Sequence, residues 1–577
     1  MIRYSVLFFI FLLFFSVSAT GFLQAQEAPT DAERSLLPEI DPQDIEIRSQ
    51  FQARFPGLRR QPILGFNPRP RVFQTDPDRI PFIEDEETVT ASLPVGELDR
   101  PEAPGYTPLG YRDPQNAFIR AGIGSEISPE ADIYAVAKLN DRNWISGHTN
   151  FNSSDGHEEN GTTSYRFLDA GVKTYSRLSG RTNLQLSAGV KSNFNHMLQL
   201  GTADEELLNV DTRVSLNGFR GSAALDVAST SLTGTKIKAD GFFHDFSVES
   251  DLAELNSSPN EWGVRAEGEY SRLGSNINEV HRLKVQTHAG GLESMQRVSG
   301  NWSVTTVSAH YERLFNYRSD VKASLGVSGV SDAEDDFMFR FSPNLELKHT
   351  FFRGFNIRAK ASAEPRHYTY QEIHAQNRFF DFQSNLKHQY EMLALGEVQM
   401  EPFYGTKIIA GVSYQDIRNY LYYTRSELPV SGFDIDEGYY SATFRDATIF
   451  RIYGGFSQDL RPDVLWFSAD AHLQTPRFSN EEKIPFVENF SVQAALSFRP
   501  TRQVLLEGWG EFSNSRETHT GEDLPSFLLI GGKFEISISD RYGVYGKLLN
   551  LLGEDYQLWQ GYRERGFQGF VGFTYLF

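Results

Sequence analysis

From about Asn116 to the C-terminus, apolar and polar residues alternate with a period of two. In Gly354–Glu364, Phe355, Ile357, Ala359, Ala361 and Ala363 fall on one side, and Asn356, Arg358, Lys360, Ser362 and Glu364 on the other. In Thr406–Gln415, Ile408, Ala410, Val412 and Tyr414 alternate with Lys407, Ile409, Gly411, Ser413 and Gln415. In Val464–Leu473, Leu465, Phe467, Ala469, Ala471 and Leu473 alternate with Trp466, Ser468, Asp470 and His472. Residues two apart share a face of a strand, so each stretch predicts a strand with one apolar and one polar face. About ten residues of such alternation is the length that crosses a bilayer as a tilted strand. Alternation does not say which face is inside, since a soluble sandwich shows the same pattern inverted.

The breaks between these stretches carry the next signal. Short breaks fall at Ser179–Arg181, Leu232–Gly234, Ser275–Asn278, Tyr317–Asp320, Arg353-Gly354, Phe403–Gly405, Arg461–Asp463, Pro500–Arg502 and Asp540–Tyr542. Longer polar stretches lie between them, among them Ser153–Ser164, His196–Asn209, Glu249–Glu261, Tyr370–Lys387, Tyr422–Tyr439, Arg477–Val487, Ser513–Pro525 and Gly553–Gly566. Short and long connections therefore alternate, as the turns and loops of outer-membrane barrels do. With a first strand near Ala117–Gly124, the walk predicts an all-β transmembrane antiparallel β-barrel of about 22 strands. The stretch Asn195–Gly221 is the one place where a strand is open to addition or removal. An even count puts both ends of the barrel on one side, the periplasm.

The N-terminus adds the compartment. Arg3, the apolar run Val6–Phe15 and the small residue Ala25 have the layout of a secretory leader, with cleavage after Ala25 or after Ala19. Residues 1–25 are thus expected to be removed, 26–115 to form a short irregular periplasmic segment, and 116–577 the barrel. The 26–115 segment is rich in proline and has no sustained periodicity, with one short helix expected at Asp44–Arg54. The chain has no cysteine, which excludes a lipoprotein anchor, disulfides and thiolate metal sites. Forty-six Phe, 25 Tyr and 47 Gly suit girdled strands better than a helical enzyme. The net charge of −20 argues against nucleic acid as a partner.

The last strand, Phe567–Phe577, sets Phe567, Val571, Phe573, Tyr575 and Phe577 on one face and ends on an aromatic residue. Before it come Val544–Leu552 with Asn550-Leu551, then Tyr556, then Gly561–Gly566. This ending resembles the two closing strands of TonB-dependent receptors. The resemblance covers roughly the last 40 residues by motif and the rest by strand count. It implies an outer-membrane barrel in contact with lipid, with Phe573, Tyr575 and Phe577 as the signal read by the barrel-assembly machinery, and transport of solute as the activity. Such receptors carry an N-terminal plug, for which residues 26–115 are too few and too rich in proline. The chain is therefore expected to lack the plug. Glu87-Thr88-Val89-Thr90-Ala91 resembles the short TonB box, with an extended acidic linker from Glu84 as the other reading.

Candidate chemistry is sparse. No Gly-x-Ser-x-Gly elbow and no His-x-x-x-His cluster points to hydrolysis, so the chain is read as a non-enzyme with no cofactor. His148, His157, His196 and His244 fall near the outer rim, where metal uptake competes with plain rim polarity. Acidic clusters such as Asp155–Glu159 and Asp204–Glu206 lack the ligand spacing of a calcium loop. Arg282, Lys284, His288, Lys322, Arg358, Lys360, Lys407, Asp470 and His472 are expected to face the lumen, because charge on the lipid face costs about 2–4 kcal/mol at mid-membrane. So wide a lumen must be filled by folded loops, the N-terminal segment or a partner. Phe55, Leu58, Arg59, Arg60 and Phe66 form a basic, apolar-anchored stretch for docking a periplasmic protein or folding into the barrel. Two functions follow: solute transport, or a scaffold that anchors periplasmic partners.

Overall fold

The computed structural model describes residues 116–577 apart from 156–163, 199–210, 231, 251–255, 275–277, 294–298, 317, 333–336, 383 and 427–439. The leader, the expected helix at Asp44–Arg54, the docking stretch and the TonB-box-like segment lie outside the described residues.

The alternating stretches are strands, each hydrogen-bonded antiparallel to its neighbours in sequence. The first, Ala117–Gly124, pairs on its free side with the last, Gln568–Leu576, from Phe118 opposite Leu576 to Gly124 opposite Phe570. The sheet therefore has no outer edge strands. Its segments Phe337–Phe341 and Asn344–Phe352 are halves of one strand, since both pair with Ser319–Ser331, so the barrel has 22 strands as expected. Asn195–Gly221 holds the end of Thr182–Leu198 and the start of Asp211–Ala228 with 199–210 between, and leaves the count unchanged.

Closure depends on small residues under a large one. Gly122 and Gly572 lie beneath the Tyr545 ring, where a Cβ at either would collide with it. The Tyr545 hydroxyl reaches across both strands and donates to Glu130 at 2.8 Å, while Lys547 lies 3.7 Å from the same carboxylate.

One rim has the short connections, such as 141–142, 180–181, 353–354 and 502–503. The other has the long connections, including 368–387, 426–439 and 550–567, together with the short ones 125–127, 294–298 and 332–336. Leu283, Val285, Val307, Leu325, Val327 and Val412 are exposed on the outer face. Their neighbours in sequence, such as Arg282, Lys284 and Lys322, face inward. Apolar outside and charged inside is the arrangement that a lipid solvent selects, and a closed ladder leaves no backbone group unpaired there.

Candidate functional site

The lumen wall is built from cross-strand ion pairs. Arg282 lies 2.9 Å from Glu312, Lys284 3.3 Å from Glu267 and Arg358 2.9 Å from Glu346, while the His472 ring lies 3.2 Å from Glu488 in the connection that follows its strand. Lys322 is near Glu312 and Asp320 at 4.0 and 3.9 Å. Opposite residues on adjacent strands are close enough for such pairs, so charge placed inward by alternation is neutralised along the wall. Lys360, Lys407 and Asp470 share this inner face by register, and His288 faces the edge of the inward Trp302 ring.

At the rim with long connections the wall changes character. On Asp211–Ala228, Val214 and Leu216 point inward and are buried, and on Thr233–Ser250 so do Phe246 and Val248. What covers them is the connection 368–387, which turns into the barrel. It packs on those four residues and Leu292 on one side, and on Leu421, Tyr423, Tyr440, Ala442, Trp559 and Tyr562 on the other. The sixth and seventh strands are nearly opposite the fifteenth and sixteenth in a ring of 22, so the segment bridges the lumen.

Each part of this segment has an anchor. Its helix, Tyr370–Gln376, starts with a capping box: the Glu372 amide donates to the Thr369 hydroxyl, and the Thr369 amide to the Glu372 carboxylate. The buried Glu261 carboxylate, from the strand Asn260–Leu273, accepts from the Tyr370 amide at 2.9 Å and the Gln371 amide at 3.5 Å. The Tyr370 hydroxyl donates to the carbonyl of Ser384 at 2.8 Å, holding the segment's two arms together. Beyond the helix, Phe380 bridges Tyr440 in parallel, and the Asp381 carboxylate accepts from the hydroxyls of Ser426 and Ser441. Phe379 stacks on Tyr562, and Arg378 lies 3.2 Å from Glu564. A hairpin connection so held is part of the core, and it bridges the mouth of the lumen.

This segment is what sequence reasoning missed, since Tyr370–Lys387 reads there as a polar loop. The signals present are the Thr369–Glu372 capping pair and the cluster Phe379, Phe380, Phe382 and Leu386. The described histidines expected at the rim do not converge: His148 is instead mid-strand, 3.4 Å from Asp169, His196 is near Ser164, and His244 is buried beside Glu261. His157 is outside the described residues. Among the described residues no group of three or more His, Asp or Glu is arranged to hold a metal ion. Phe573 and Phe577 are exposed on the last strand, and Tyr575 packs between Tyr542 and Phe577. The motif residue Asn550 adopts a left-handed backbone conformation (φ 46°), and its side chain donates to the carbonyls of Glu554 and Arg565, tying down the last connection.

No protein-family model matches the chain, and no curated protein does. Solved structures do. The FrpB iron transporter of Neisseria meningitidis (F5-1 variant) superposes with a TM-score of 0.64 at 9% identity, over 81% of this chain and 83% of that one. The chain has the fold of a receptor barrel. The siderophore receptor PirA of Acinetobacter baumannii gives 0.64 at 10% identity, over 80% of each chain. The ferric enterobactin receptor PfeA of Pseudomonas aeruginosa, as a mutant in complex with enterobactin, gives 0.62 at 11%, over 80% and 81%. At these identities the likeness is one of fold.

Proposed function

We propose that this receptor-like barrel moves solute across the bacterial outer membrane, with the connection 368–387 closing its lumen in place of an N-terminal plug. The observation that carries this reading is a charged, 22-strand lumen whose long-connection mouth is bridged by a segment of the barrel itself. The closure is made of side-chain packing and a few hydrogen bonds to the wall, contacts that a displacement of the segment can break. The short-turn rim, where the barrel strands begin and end, faces the periplasm in this reading, and Phe573, Tyr575 and Phe577 are what the barrel-assembly machinery reads. The proteins of similar fold, named for iron and siderophores, support the reading by analogy of architecture.

The test is conductance in planar bilayers. Replacing residues 370–384 by a short Gly/Ser linker is expected to raise single-channel conductance several-fold over the wild-type barrel. Equal conductance of the two proteins would remove 368–387 as the closure.

A second reading draws on the basic, apolar-anchored stretch with Phe55, Leu58, Arg59, Arg60 and Phe66, and on the box-like Glu87–Ala91: a scaffold that holds a periplasmic protein, or engagement of TonB. Deleting residues 40–90 should then release a copurifying periplasmic protein while leaving conductance unchanged.

A further inference from the structure

The last connection of the barrel, residues 550–567, joins the strands Tyr542–Leu549 and Gln568–Leu576 and reaches in to the buried cluster at the mouth. It is a small unit of its own. Gln557–Trp559 pairs antiparallel with Tyr562–Arg563, and Gly561 in the turn between them takes a left-handed conformation (φ 87°). The Glu564 amide donates to the Tyr556 carbonyl at 2.8 Å. At the foot of the hairpin Gly553 is also left-handed (φ 63°). The Asn550 side chain ties the two stems there, accepting from the Glu554 amide and donating to the Arg565 carbonyl. A hairpin with its own ladder, tied at its foot beside a glycine, can move as one piece.

Its two sides differ. The inner side carries Trp559, Tyr562 and Glu564, all buried. Tyr562 stacks on Phe379, and Glu564 lies 3.2 Å from Arg378 in a pair whose side chains are only 7% and 19% exposed. The Tyr440 hydroxyl donates to the Gln560 carbonyl at 3.0 Å. The backbone of the same Tyr440 holds the closing segment: its amide donates to the Phe379 carbonyl, and its carbonyl accepts from the Asp381 amide. The hairpin therefore sits where the segment joins the wall beyond its helix. The outer side carries Asp555 and Arg563, 3.2 Å apart and 62% and 51% exposed, and Gln560, which donates to Glu522 at 2.9 Å. Exposed contacts of that kind contribute little.

The contact between hairpin and segment is of a separable kind. Among the described residues no backbone hydrogen bond joins 550–567 to 368–387. What joins them is a ring stack, an ion pair and apolar packing. The Trp559 indole nitrogen is buried there without a hydrogen-bonding partner, and solvent satisfies it once the hairpin lifts. Lifting also takes Glu564 away from Arg378, and a guanidinium is costly to leave buried without its carboxylate. Movement of the hairpin is thereby coupled to loosening of the segment at Arg378 and Phe379.

We propose that the hairpin 555–564 is a strap that locks the closing segment in place, with Arg378–Glu564 as its latch, and that the lumen opens when this strap lifts. The inference rests on the proposed closure by 368–387 and adds to it the point at which the closure is released. That point is on the long-connection rim, which the same reading turns to the cell exterior. There the exposed side of the strap is open to solvent, whereas Phe379 and Phe380 of the segment are buried.

The test uses the full-length protein in lipid nanodiscs, with heat-modifiable gel mobility as the check that each barrel is folded. Hydrogen exchange of residues 370–382 should be at least about tenfold faster in Glu564→Arg than in the wild type. It should slow again when Arg378→Glu is added to Glu564→Arg. Asp555→Asn, on the exposed side of the strap, should leave exchange as it is in the wild type. In planar bilayers, replacing 555–564 by a short Gly/Ser linker should raise single-channel conductance as far as replacing 370–384 does. Wild-type exchange in Glu564→Arg, or no recovery on swapping the charges, would overturn the latch. Wild-type conductance of the strap replacement, beside raised conductance of the 370–384 replacement, would overturn the strap and leave the closure standing. Wild-type conductance of both would sink the closure itself, and the strap with it.

Discussion

His374 lies between the rings of Phe246 and Phe382, and neither of its ring nitrogens has a hydrogen-bonding partner. Burial, with Lys191 and Arg378 adding to it, pushes its pKa down to about 4. Undocked, the same imidazole titrates near the ordinary value of about 6.5. Above that value both forms are neutral and docking of the segment is at full strength. As pH falls through 6.5 the undocked form takes up a proton that the docked form refuses. Docking therefore weakens until about pH 4, by about 3 kcal/mol at most. Hydrogen exchange of residues 370–382, corrected for intrinsic rates, should speed up between pH 7.5 and 5 in the wild type and much less in His374→Phe. A flat profile in the wild type would refute the assignment. Glu261 acts on the same segment from the wall. Glu261→Ala leaves two amides of the helix without their acceptor, at a cost of about 1–3 kcal/mol. It should raise exchange in 368–387 without altering the heat-modifiable gel mobility of the barrel.

Single strands show how much was legible and where legibility stopped. Within the bilayer the alternation assigns faces correctly: Val285 is outward, and Gln286 is inward, donating to Glu267. Val285→Lys should accordingly cost about 2–4 kcal/mol in reversible unfolding from lipid, while Gln286→Lys, beside Glu267, should cost little. Comparable losses would contradict the register. Above the bilayer the rule inverts. On Thr233–Ser250 the apolar side passes from Ile237, Ala239 and Phe243 outside to Phe246 and Val248 inside. A strand that outgrows the membrane exchanges lipid outside for packed protein inside, so its buried face changes. That change is written in the sequence, but it reads as loss of pattern until the covering segment is known. The seven-residue helix Tyr370–Gln376 is too short to show a helical period, and its capping pair is the only local sign of it.

At the scale of the whole molecule, strand number and closure of the barrel follow from local rules repeated along the chain, which is why they could be read in advance. What fills the mouth of the lumen could not, because it depends on residues far apart in sequence meeting across the ring. Glu261 and Tyr370, or Phe379 and Tyr562, carry no mark of one another. The conductance change expected on replacing 370–384 is a property of this long-range packing, and no single strand predicts it.

The position of the closing segment in the chain also sets an order of events during biogenesis. Its two ends are strand partners, His367 opposite His388, so the hairpin that carries it zips without it. Its packing partners, however, run from Val214 to Tyr562, in the connection made just before the final strand. The segment can seat only when nearly the whole polypeptide has been threaded into the wall. If the segment closes the lumen as proposed, a newly assembled barrel is an unsealed conduit first and a sealed one afterwards, and the interval between the two is a window in which the membrane's permeability barrier is exposed.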